Sequence, residues 1–298
     1  MSITERIQKT VRRTLTRISP RLNTNISYRF KFGRKLDLKN PLTLNEKVLW
    51  LKFNTYWENN LVKCCADKYR VRNYVSNQGM PEILVDLIGA YDSSEEIVWD
   101  SLPKSFVIKF NMGYGCNIVV RDKNMANWKF IKKTVDSWFK QKYYLDYSEM
   151  QYKDAHPKIL IEKCLCDKDG KLPVDYKFYC MNGRCDYVMA CFDRGEAGKG
   201  KFLYFDRGWN LMPFSRDALD NLDAVVPRPD GIDDAFEYAE RLSAPFPFVR
   251  TDLYIVDGKV YFGELTFTPG AGMDNGRLEE TDRLLGSMLE LPMKTSEG

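Results

Sequence analysis

The chain has 298 residues, of which 44% are hydrophobic and 13% aromatic, and its formal net charge is +4. This composition is typical of a globular protein that buries a substantial core, and no apolar run approaches the roughly 18–20 residues needed to cross a bilayer. Eight cysteines without disulfide-framework spacing and a single histidine, His156, argue against a disulfide scaffold and a zinc site.

The positive charge is concentrated at the N-terminus. Residues 1–41 contain eleven Lys and Arg residues against Glu5 and Asp37, a net charge of +9, which leaves −5 for the rest of the chain. The first eighteen residues predict a helix, because apolar and basic side chains alternate at helical spacing. The apolar residues are Ile3, Ile7, Val11, Leu15 and Ile18, and the basic residues between them are Arg6, Lys9, Arg13 and Arg17.

Two interpretations of this helix stay open. It suits an interfacial helix on an anionic membrane, and it equally suits an amphipathic helix packed on the body of the protein. A third interpretation, a nucleic-acid arm, has no supporting motif, and we expect no nucleic-acid partner. The N-terminus lacks the apolar core of a signal peptide, and the thiols suit a reducing compartment, so we expect a cytoplasmic protein. If the helix binds an anionic membrane, we expect the protein at the inner face of the cytoplasmic membrane.

Helix and strand signals follow in chain order. Thr43 and Glu46 form a capping box that predicts a helix to about Phe53. Further helices are predicted over about 60–75, 127–141 and 230–243, and strands over 83–88, 106–110, 117–120, 158–163, 174–181, 184–192 and 202–206. Helices mixed with antiparallel hairpins predict an α+β fold. We divide the chain into a basic arm (1–42), a helical and mixed subdomain (43–105) and a core (106–298).

The last third of the chain carries the most informative pattern. Two apolar strands joined by Asp257-Gly258 predict a hairpin. Asp252 begins the first strand and Glu264 ends the second, so we expect their carboxylates side by side, with Thr266 on the same face. Oxygen ligands grouped in this way suit Mg²⁺ shared with substrate phosphates, and Arg250 can reach the same face. The alternative is a surface hairpin with solvated acids.

A second pattern lies near the middle of the chain. Lys109 stands in an apolar strand, and Gly113 and Gly115 follow within six residues. A glycine loop can bend its N–H groups toward phosphate oxygens, because no Cβ blocks the approach. The alternative is an ordinary lysine beside a plain hairpin loop.

Five blocks in this order resemble the ATP-grasp fold: Ala66–Arg72, Phe106–Val120, Ile159–Leu165, Asp175–Lys177 and Arg250–Gly270. The resemblance implies antiparallel sheets with flanking helices that enclose a nucleotide cleft, and it implies ATP and Mg²⁺. The resemblance assigns ATP binding to Lys68, Lys109, Gly113 and Gly115. It assigns the adenine hinge, which would offer backbone groups at a strand edge, to Glu162, Lys163, Cys164 and Leu165. By the same resemblance, Asp169 or Asp167 would bind the ribose, Lys177 the transferred phosphate and Arg250 the acyl phosphate. The metal would be bound by Asp252, Glu264 and Thr266.

The finer resemblance is to the TupA-like branch, named for a teichuronopeptide-biosynthesis protein. It is carried by residues 40–52, 66–75, 175–178, 205–210, 246–254 and 262–270. The branch implies a ligase for bacterial surface polysaccharides (capsule, O-antigen or teichuronopeptide-like). ATP would activate the carboxylate of a sugar or an amino acid as an acyl phosphate, and an amine co-substrate would form the amide. Two other classes stay open, a sugar or glycan kinase and a nucleotide-binding assembly protein with little turnover.

Overall fold

The computed structural model describes residues 3–167, 169–192 and 200–292. Within them the α-helices are α1 (Ile3–Ile18), α2 (Pro20–Phe32), α3 (Leu44–Leu51), α4 (Asn60–Ala66), α5 (Val71–Asn77), α6 (Trp128–Phe139), α7 (Arg216–Leu219), α8 (Ile232–Ser243) and α9 (Glu279–Met288). The strands are β1 (Leu87–Tyr91), β2 (Phe106–Phe110), β3 (Asn117–Val120), β4 (Ile159–Lys163), β5 (Asp175–Met181), β6 (Arg184–Phe192), β7 (Lys201–Asp206), β8 (Leu211–Met212), β9 (Phe248–Val256) and β10 (Lys259–Thr266). All strand pairs are antiparallel, which confirms the predicted α+β class.

The chain forms two compact units. The first combines Met1–Ile26 with Trp57–Cys166, and the second combines Ser27–Tyr56 with Asp167–Gly298. The three-part division predicted from the sequence follows chain order, whereas these units join separated stretches. The division into 1–42, 43–105 and 106–298 therefore stays a prediction.

The first unit contains a four-stranded sheet in the order β1-β4-β2-β3. Along β2 the side chains alternate between fully buried Phe106, Ile108 and Phe110 and partly buried Val107 and Lys109. The buried face packs with one side of α6 in a single hydrophobic core, so the period-2 pattern of β2 sends Lys109 to the face opposite this core.

Helix α1 packs on the first unit through its polar face. The carboxylate of Asp146 accepts a hydrogen bond from Arg13 Nε at 2.6 Å, and Thr16 Oγ1 lies 2.9 Å from Ser148 Oγ. Ile7 and Ile18 are instead exposed. The helix thus packs on the body as the second interpretation expects, but through its polar face and not its apolar stripe, because Asp146 and Ser148 provide partners for Arg13 and Thr16. None of the helices in the described residues is long and apolar enough to span a membrane.

The second unit contains a six-stranded sheet in the order β10-β9-β5-β6-β7-β8. Helix α8 covers this sheet, and its Phe236 ring meets Phe178 of β5 edge to face at 4.9 Å. Thr43 caps α3 as predicted, since its hydroxyl accepts from Glu46 N and the Glu46 carboxylate accepts from Thr43 N. The apolar residues on one side of α8 are buried, as its predicted amphipathic pattern requires.

Two predicted elements differ in the structure. The single helix over 60–75 is broken between α4 and α5, because the Asp67 carboxylate accepts bonds from the backbone N–H groups of Tyr69 and Arg70 and stops the helical ladder. The strand over 83–88 begins later, at Leu87, because Pro81 starts a helical turn and the ladder with β4 begins only at Leu87.

Candidate active site

The structure brings most predicted site residues into two groups, one in each compact unit. In the second unit, Lys177, Asp252 and Glu264 are direct cross-strand neighbours on β5, β9 and β10. Directly opposed residues of an antiparallel sheet share a face, so the ammonium and the two carboxylates form one row. Arg250 on β9 and Thr266 on β10 oppose each other two residues away from Asp252 and Glu264, on the same face of the sheet.

A β-bulge creates this row. The two-residue turn at Asp257-Gly258 pairs Phe262 with Leu253, and continuing that register would place Glu264 opposite Thr251. The register shifts at Gly263, so Glu264 pairs with Asp252 instead. A Cβ on Gly263 would lie 2.8 Å from the carbonyl oxygen of Asp252, so only glycine fits this bulge.

Asp252 holds the cluster together. Its Oδ1 accepts from Arg250 Nε at 2.7 Å, and its Oδ2 accepts from Arg250 Nη2 at 2.7 Å and from Lys177 Nζ at 2.6 Å. Lys177 Nζ also donates to Asp175 Oδ2 at 2.6 Å. Burial lowers the pKa of Lys177, but the negative charges around it, chiefly Asp252 and Asp175, together outweigh burial, and its pKa is raised. For Asp252, burial raises the pKa while Arg250 and Lys177 oppose that shift.

The donor set is chemically suited to a hard cation. Thr266 Oγ1 donates to Glu264 Oε1 at 3.2 Å and accepts from Arg250 Nη2 at 3.2 Å, and Arg250 also contacts Asp252, so Arg250 links the hydroxyl to both carboxylates. Oxygen donors of this type fit Mg²⁺ when substrate phosphates complete the coordination. Among the described residues, no group of three or more His, Cys, Asp or Glu side chains could hold a metal ion by itself.

The first unit contains the second group. Lys109 on β2 and Glu162 on β4 occupy diagonal positions of the sheet, and Lys109 Nζ lies 2.7 Å from Glu162 Oε2. The other carboxylate oxygen accepts from Arg72 Nη1 at 3.1 Å, and Arg72 Nη2 donates to the carbonyl of Val85 at 2.8 Å. Both oxygens of Glu162 thus contact cations, and its predicted contact with the adenine amine stays a prediction.

Lys68 is positioned by the break between α4 and α5, and the sequence prediction that it lies within a helix is wrong. Asp67 Oδ2 accepts from Asn111 Nδ2 at 2.8 Å, and Lys68 N donates to the Asn111 carbonyl at 2.9 Å. Lys68 Nζ then reaches the carbonyl of Gly113 at 3.2 Å. The Asp-Lys pair therefore joins this segment to the glycine loop.

The glycine loop has the conformation that its sequence predicts. Gly113 has φ +79° and Gly115 has φ +67°, values that favour glycine. A Cβ on Gly113 would also lie 2.7 Å from the ring of Tyr143. The side chain of Tyr114, between the two glycines, is exposed.

The predicted adenine hinge, residues 162–165, differs from the prediction in one respect. Strand β4 lies between β1 and β2, so it is not a strand edge. The ladder ends at Lys163, which is exposed and whose Nζ lies 3.6 Å from Asp86. Cys164 and Leu165 follow outside the ladder and are partly buried. Burial raises the pKa of the Cys164 thiol to about 11, helped by a contact between Cys164 Sγ and Cys166 Sγ at 3.7 Å.

The structure separates the two candidate ribose acids. Asp167 Oδ1 accepts from the backbone N–H groups of Asp169 and Lys171 at 2.9 and 2.8 Å, as a turn residue does. The side chain of Asp169 is exposed. The assignment of the ribose to Asp169 or Asp167 stays a prediction.

Sequence reasoning missed several residues of both groups. Arg72 lies in a block that the sequence singled out, but its partner Glu162 is 90 positions away, so the sequence carries no signal for this contact. Asp175 stands two residues before Lys177 and shares its strand face. An isolated glycine inside a strand, Gly263, signals a bulge. Tyr143 had no sequence signal, because its contact with Gly113 spans thirty residues of chain.

A family model described as TupA-like ATPgrasp matches residues 46–290. The chain therefore belongs to the TupA-like ATP-grasp family. This confirms the resemblance stated from the sequence, and with the antiparallel sheets and flanking helices it confirms an ATP-grasp-type fold. No curated protein matches the chain in sequence.

Three solved structures have similar folds. D-alanine–D-alanine ligase from Bacillus anthracis in complex with ATP has a TM-score of 0.48 and 16% identity over 76% of this chain and 65% of that one. L-amino acid ligase from Bacillus licheniformis has a TM-score of 0.44 and 13% identity over 71% and 45%. The ADP complex of N5-carboxyaminoimidazole ribonucleotide synthetase has a TM-score of 0.42 and 13% identity over 78% and 51%. The chain thus spans less than two thirds of each of these proteins, and such scores establish nothing about its activity.

Proposed function

We propose that this protein is an ATP-dependent carboxylate–amine ligase of bacterial surface polysaccharide biosynthesis. Its acceptor would be the carboxylate of a sugar or an amino acid, and its second substrate an amine. The observation that carries the proposal is the row of Lys177, Asp252 and Glu264 with Arg250 beside it, held in register by the bulge at Gly263. Membership of the TupA-like ATP-grasp family supports the use of ATP.

The charges of the cluster suit a phosphoryl group. Its three carboxylates (Asp175, Asp252 and Glu264) and two cations (Lys177 and Arg250) carry a formal charge of −1. A bound Mg²⁺, held by Asp252, Glu264 and Thr266, would make the sum +1 and would neutralise negative charge on ATP. Lys177 and Arg250, which both contact Asp252, would then also face phosphate oxygens, which is the arrangement that stabilises phosphoryl transfer.

The proposed reaction has two steps. A carboxylate oxygen of the acceptor attacks the γ-phosphorus of ATP, the bond to the ADP oxygen breaks, and an acyl phosphate forms. The amine nitrogen then attacks the acyl carbon, the C–N bond forms, inorganic phosphate leaves, and the nitrogen loses a proton to solvent. Lys177 would stabilise the phosphoryl oxygens and Arg250 the oxyanion of the tetrahedral intermediate, both as preorganised charges.

The first unit would supply the nucleotide contacts. We propose that Lys109 and Lys68 bind ATP phosphates together with backbone N–H groups of the loop at Gly113 and Gly115. Glu162 and Arg72 would hold Lys109 in position, and Glu162 would also accept a hydrogen bond from the adenine amine. Backbone groups at Cys164 and Leu165, which lie beyond the β4 ladder, would contact adenine.

Hydroxylamine tests the ligase chemistry without knowledge of the natural amine. The protein is incubated with Mg-ATP, a uronic-acid glycan or free amino acids, and hydroxylamine, and ADP and hydroxamate are measured. A ligase releases ADP together with hydroxamate from one acceptor class. ADP release with a phosphorylated hydroxyl group and no hydroxamate would show a kinase, and tight ATP binding without turnover would show an assembly protein. The Glu264→Gln variant is the negative control.

Calorimetry tests the nucleotide assignment separately. Lys109→Ala should weaken Mg-ATP binding by about 10- to 150-fold, as expected for loss of one charged hydrogen bond of about 1.5–3 kcal/mol. Glu162→Ala should reduce the preference for ATP over GTP. Lys133→Ala, an exposed lysine on α6, is the matched control and should bind as the wild type does. If the wild type fails to bind Mg-ATP at millimolar concentration, the proposed function is wrong.

A further inference from the structure

The outer face of α1 is an exposed apolar stripe. Ile7 is 59% exposed, Val11 51% and Ile18 71%, and their spacings of four and seven residues place them on one side of the helix. Backbone bonds from Ser19 to Leu15 and from Asn23 to Ser19 continue the helical pattern into α2. Leu22, one turn beyond Ile18, is 43% exposed and extends the stripe.

The opposite face fixes the orientation of this stripe. Three basic residues point toward the unit: Lys9 Nζ lies 3.4 Å from Asp146 Oδ2, Arg13 Nε lies 2.6 Å from Asp146 Oδ1, and Arg12 Nη1 donates to Tyr147 Oη at 2.8 Å. A buried hydrogen bond lies beside these ion pairs, in which Asn23 Nδ2 donates to Thr16 Oγ1 at 2.8 Å. Helix α1 therefore cannot turn its apolar face inward without breaking buried polar contacts.

Positive charge accompanies the exposed stripe. Arg6, Arg17 and Arg21 are exposed, and Arg6 and Arg17 border one side of the stripe. The only acid before Asp37 is Glu5, which is exposed but lies about three turns before Thr16 and therefore on the side of the helix opposite the stripe. The outward half of α1 thus combines apolar and cationic side chains without an acid.

We propose that α1 is a docking surface for an anionic lipid bilayer, with the axis of the helix parallel to the membrane plane. The apolar stripe would enter the boundary between headgroups and acyl chains, and Arg6, Arg17 and Arg21 would contact lipid phosphates. The 16-residue helix is about 24 Å long, enough for an interfacial element. This inference rests on α1 and the first residues of α2 and is independent of the proposed ligase activity.

Charge distinguishes a bilayer from a second copy of the chain. Arg6, Arg17 and Arg21 are exposed on or beside this face, so two copies that met through it would bring like charges together. An anionic bilayer can bury the apolar stripe and at the same time pair with the arginines.

Vesicle co-sedimentation of the full chain tests the inference. The vesicles are either pure phosphatidylcholine or contain about one third phosphatidylglycerol, in low salt and in about 1 M salt, where the screening length is about 3 Å. The first variant combines Ile7→Ser, Val11→Ser and Ile18→Ser. The matched control combines Met125→Ser, Phe130→Ser and Val225→Ser, which replace three exposed apolar residues outside α1. The second variant combines Arg6→Gln and Arg17→Gln.

The wild type and the matched control should bind the anionic vesicles, at least about tenfold more strongly than the neutral ones, and high salt should weaken binding. The α1 serine variant should lose at least about tenfold in binding, and the arginine variant about fivefold for each charge. Three results would overturn the inference: no binding of the wild type to anionic vesicles, equal binding by the serine variant, or a loss of equal size in the matched control. A dimer that the serine variant abolishes, without vesicle binding, would identify the second copy as the partner.

Discussion

Asp252 shows how a single buried carboxylate can serve both the fold and the chemistry. It is 2% exposed and contacts both Arg250 and Lys177. Removal of any member of such a buried group leaves an uncompensated charge, so effects on activity and on stability are mixed at Asp252. Glu264 is more suitable for a test of chemistry, because its side chain is 35% exposed.

Glu264→Gln should lower ATP turnover by at least about a hundredfold, in line with the loss of one charge-stabilising group. The free energy of unfolding should change by less than about 1 kcal/mol, since the glutamine has the same shape at a partly exposed site. Turnover and urea unfolding are measured together, with Glu237→Gln on the exposed side of α8 as the matched control. Turnover within threefold of the wild type would contradict the assignment of Glu264 to the metal.

Lys177 gives a pH-dependent test of the same cluster. The pKa of Lys177 is raised above its ordinary value of 10.5, so the native state binds this proton more tightly than the unfolded state does. The stabilising contribution of Lys177 is complete below about pH 10.5 and is lost as pH rises through the folded-state pKa.

Lys177→Met should therefore lower the free energy of unfolding by about 3–5 kcal/mol at pH 7. The difference from the wild type should narrow above about pH 10.5. Urea unfolding at several pH values measures both effects, and the exposed Lys201→Met serves as control. A variant as stable as the wild type at pH 7, or a constant difference through pH 11, would contradict this account.

At the scale of elements, the β9–β10 hairpin depends on one glycine. The predicted turn at Asp257-Gly258 is confirmed by positive φ angles of 49° and 77°. The turn alone would direct Glu264 and Asp252 to opposite faces of the sheet, and the bulge at Gly263 brings them to the same face. The side-by-side carboxylates predicted from the sequence are thus correct, but they require an irregularity that regular alternation does not contain.

Gly263→Ala should lower the free energy of unfolding by about 1–3 kcal/mol, because the added Cβ would lie 2.8 Å from a backbone oxygen. ATP turnover should also fall by at least about tenfold although every proposed ligand is retained, because Glu264 would no longer be opposed to Asp252. Gly276→Ala is the control, since its Cβ would meet only the movable side chain of Asp274 at 3.3 Å. A stable variant with full turnover would show that the bulge does not matter.

Local signals explain which elements the sequence predicts well. The capping box before α3 and the turns after β5 and β9 involve residues within four positions of one another, so their chemistry is visible in the sequence. The break between α4 and α5 comes from the Asp67 carboxylate, which accepts from Tyr69 N and Arg70 N and is held in place by Asn111, 44 residues away. Periodicity alone cannot show such a contact, and the predicted helix continued through it.

At the scale of the whole molecule, the sequence predicts which residue types form the site, but not which distant side chains they contact. The five sequence blocks contain every residue of the row on β5, β9 and β10. The pairing of Glu162 with Arg72 spans 90 positions, and the contacts of α1 with the segment Tyr143–Ser148 span more than 130. The folded chain alone determines these contacts, and they decide which face of α1 is exposed.

Asp146 is the residue on which the docking of α1 depends most. Its side chain is 4% exposed and contacts both Arg13 and Lys9. Asp146→Ala would leave these two cations without their carboxylate and should weaken the attachment of α1 by about 1–3 kcal/mol. Because α1 is rich in Arg and Lys, its release should accelerate cleavage by trypsin within residues 3–18 and backbone hydrogen exchange there. Asp154→Ala, which removes an exposed acid 3.9 Å from Lys63, should leave both rates unchanged. Equal rates for Asp146→Ala and the wild type would show that α1 is held by other contacts.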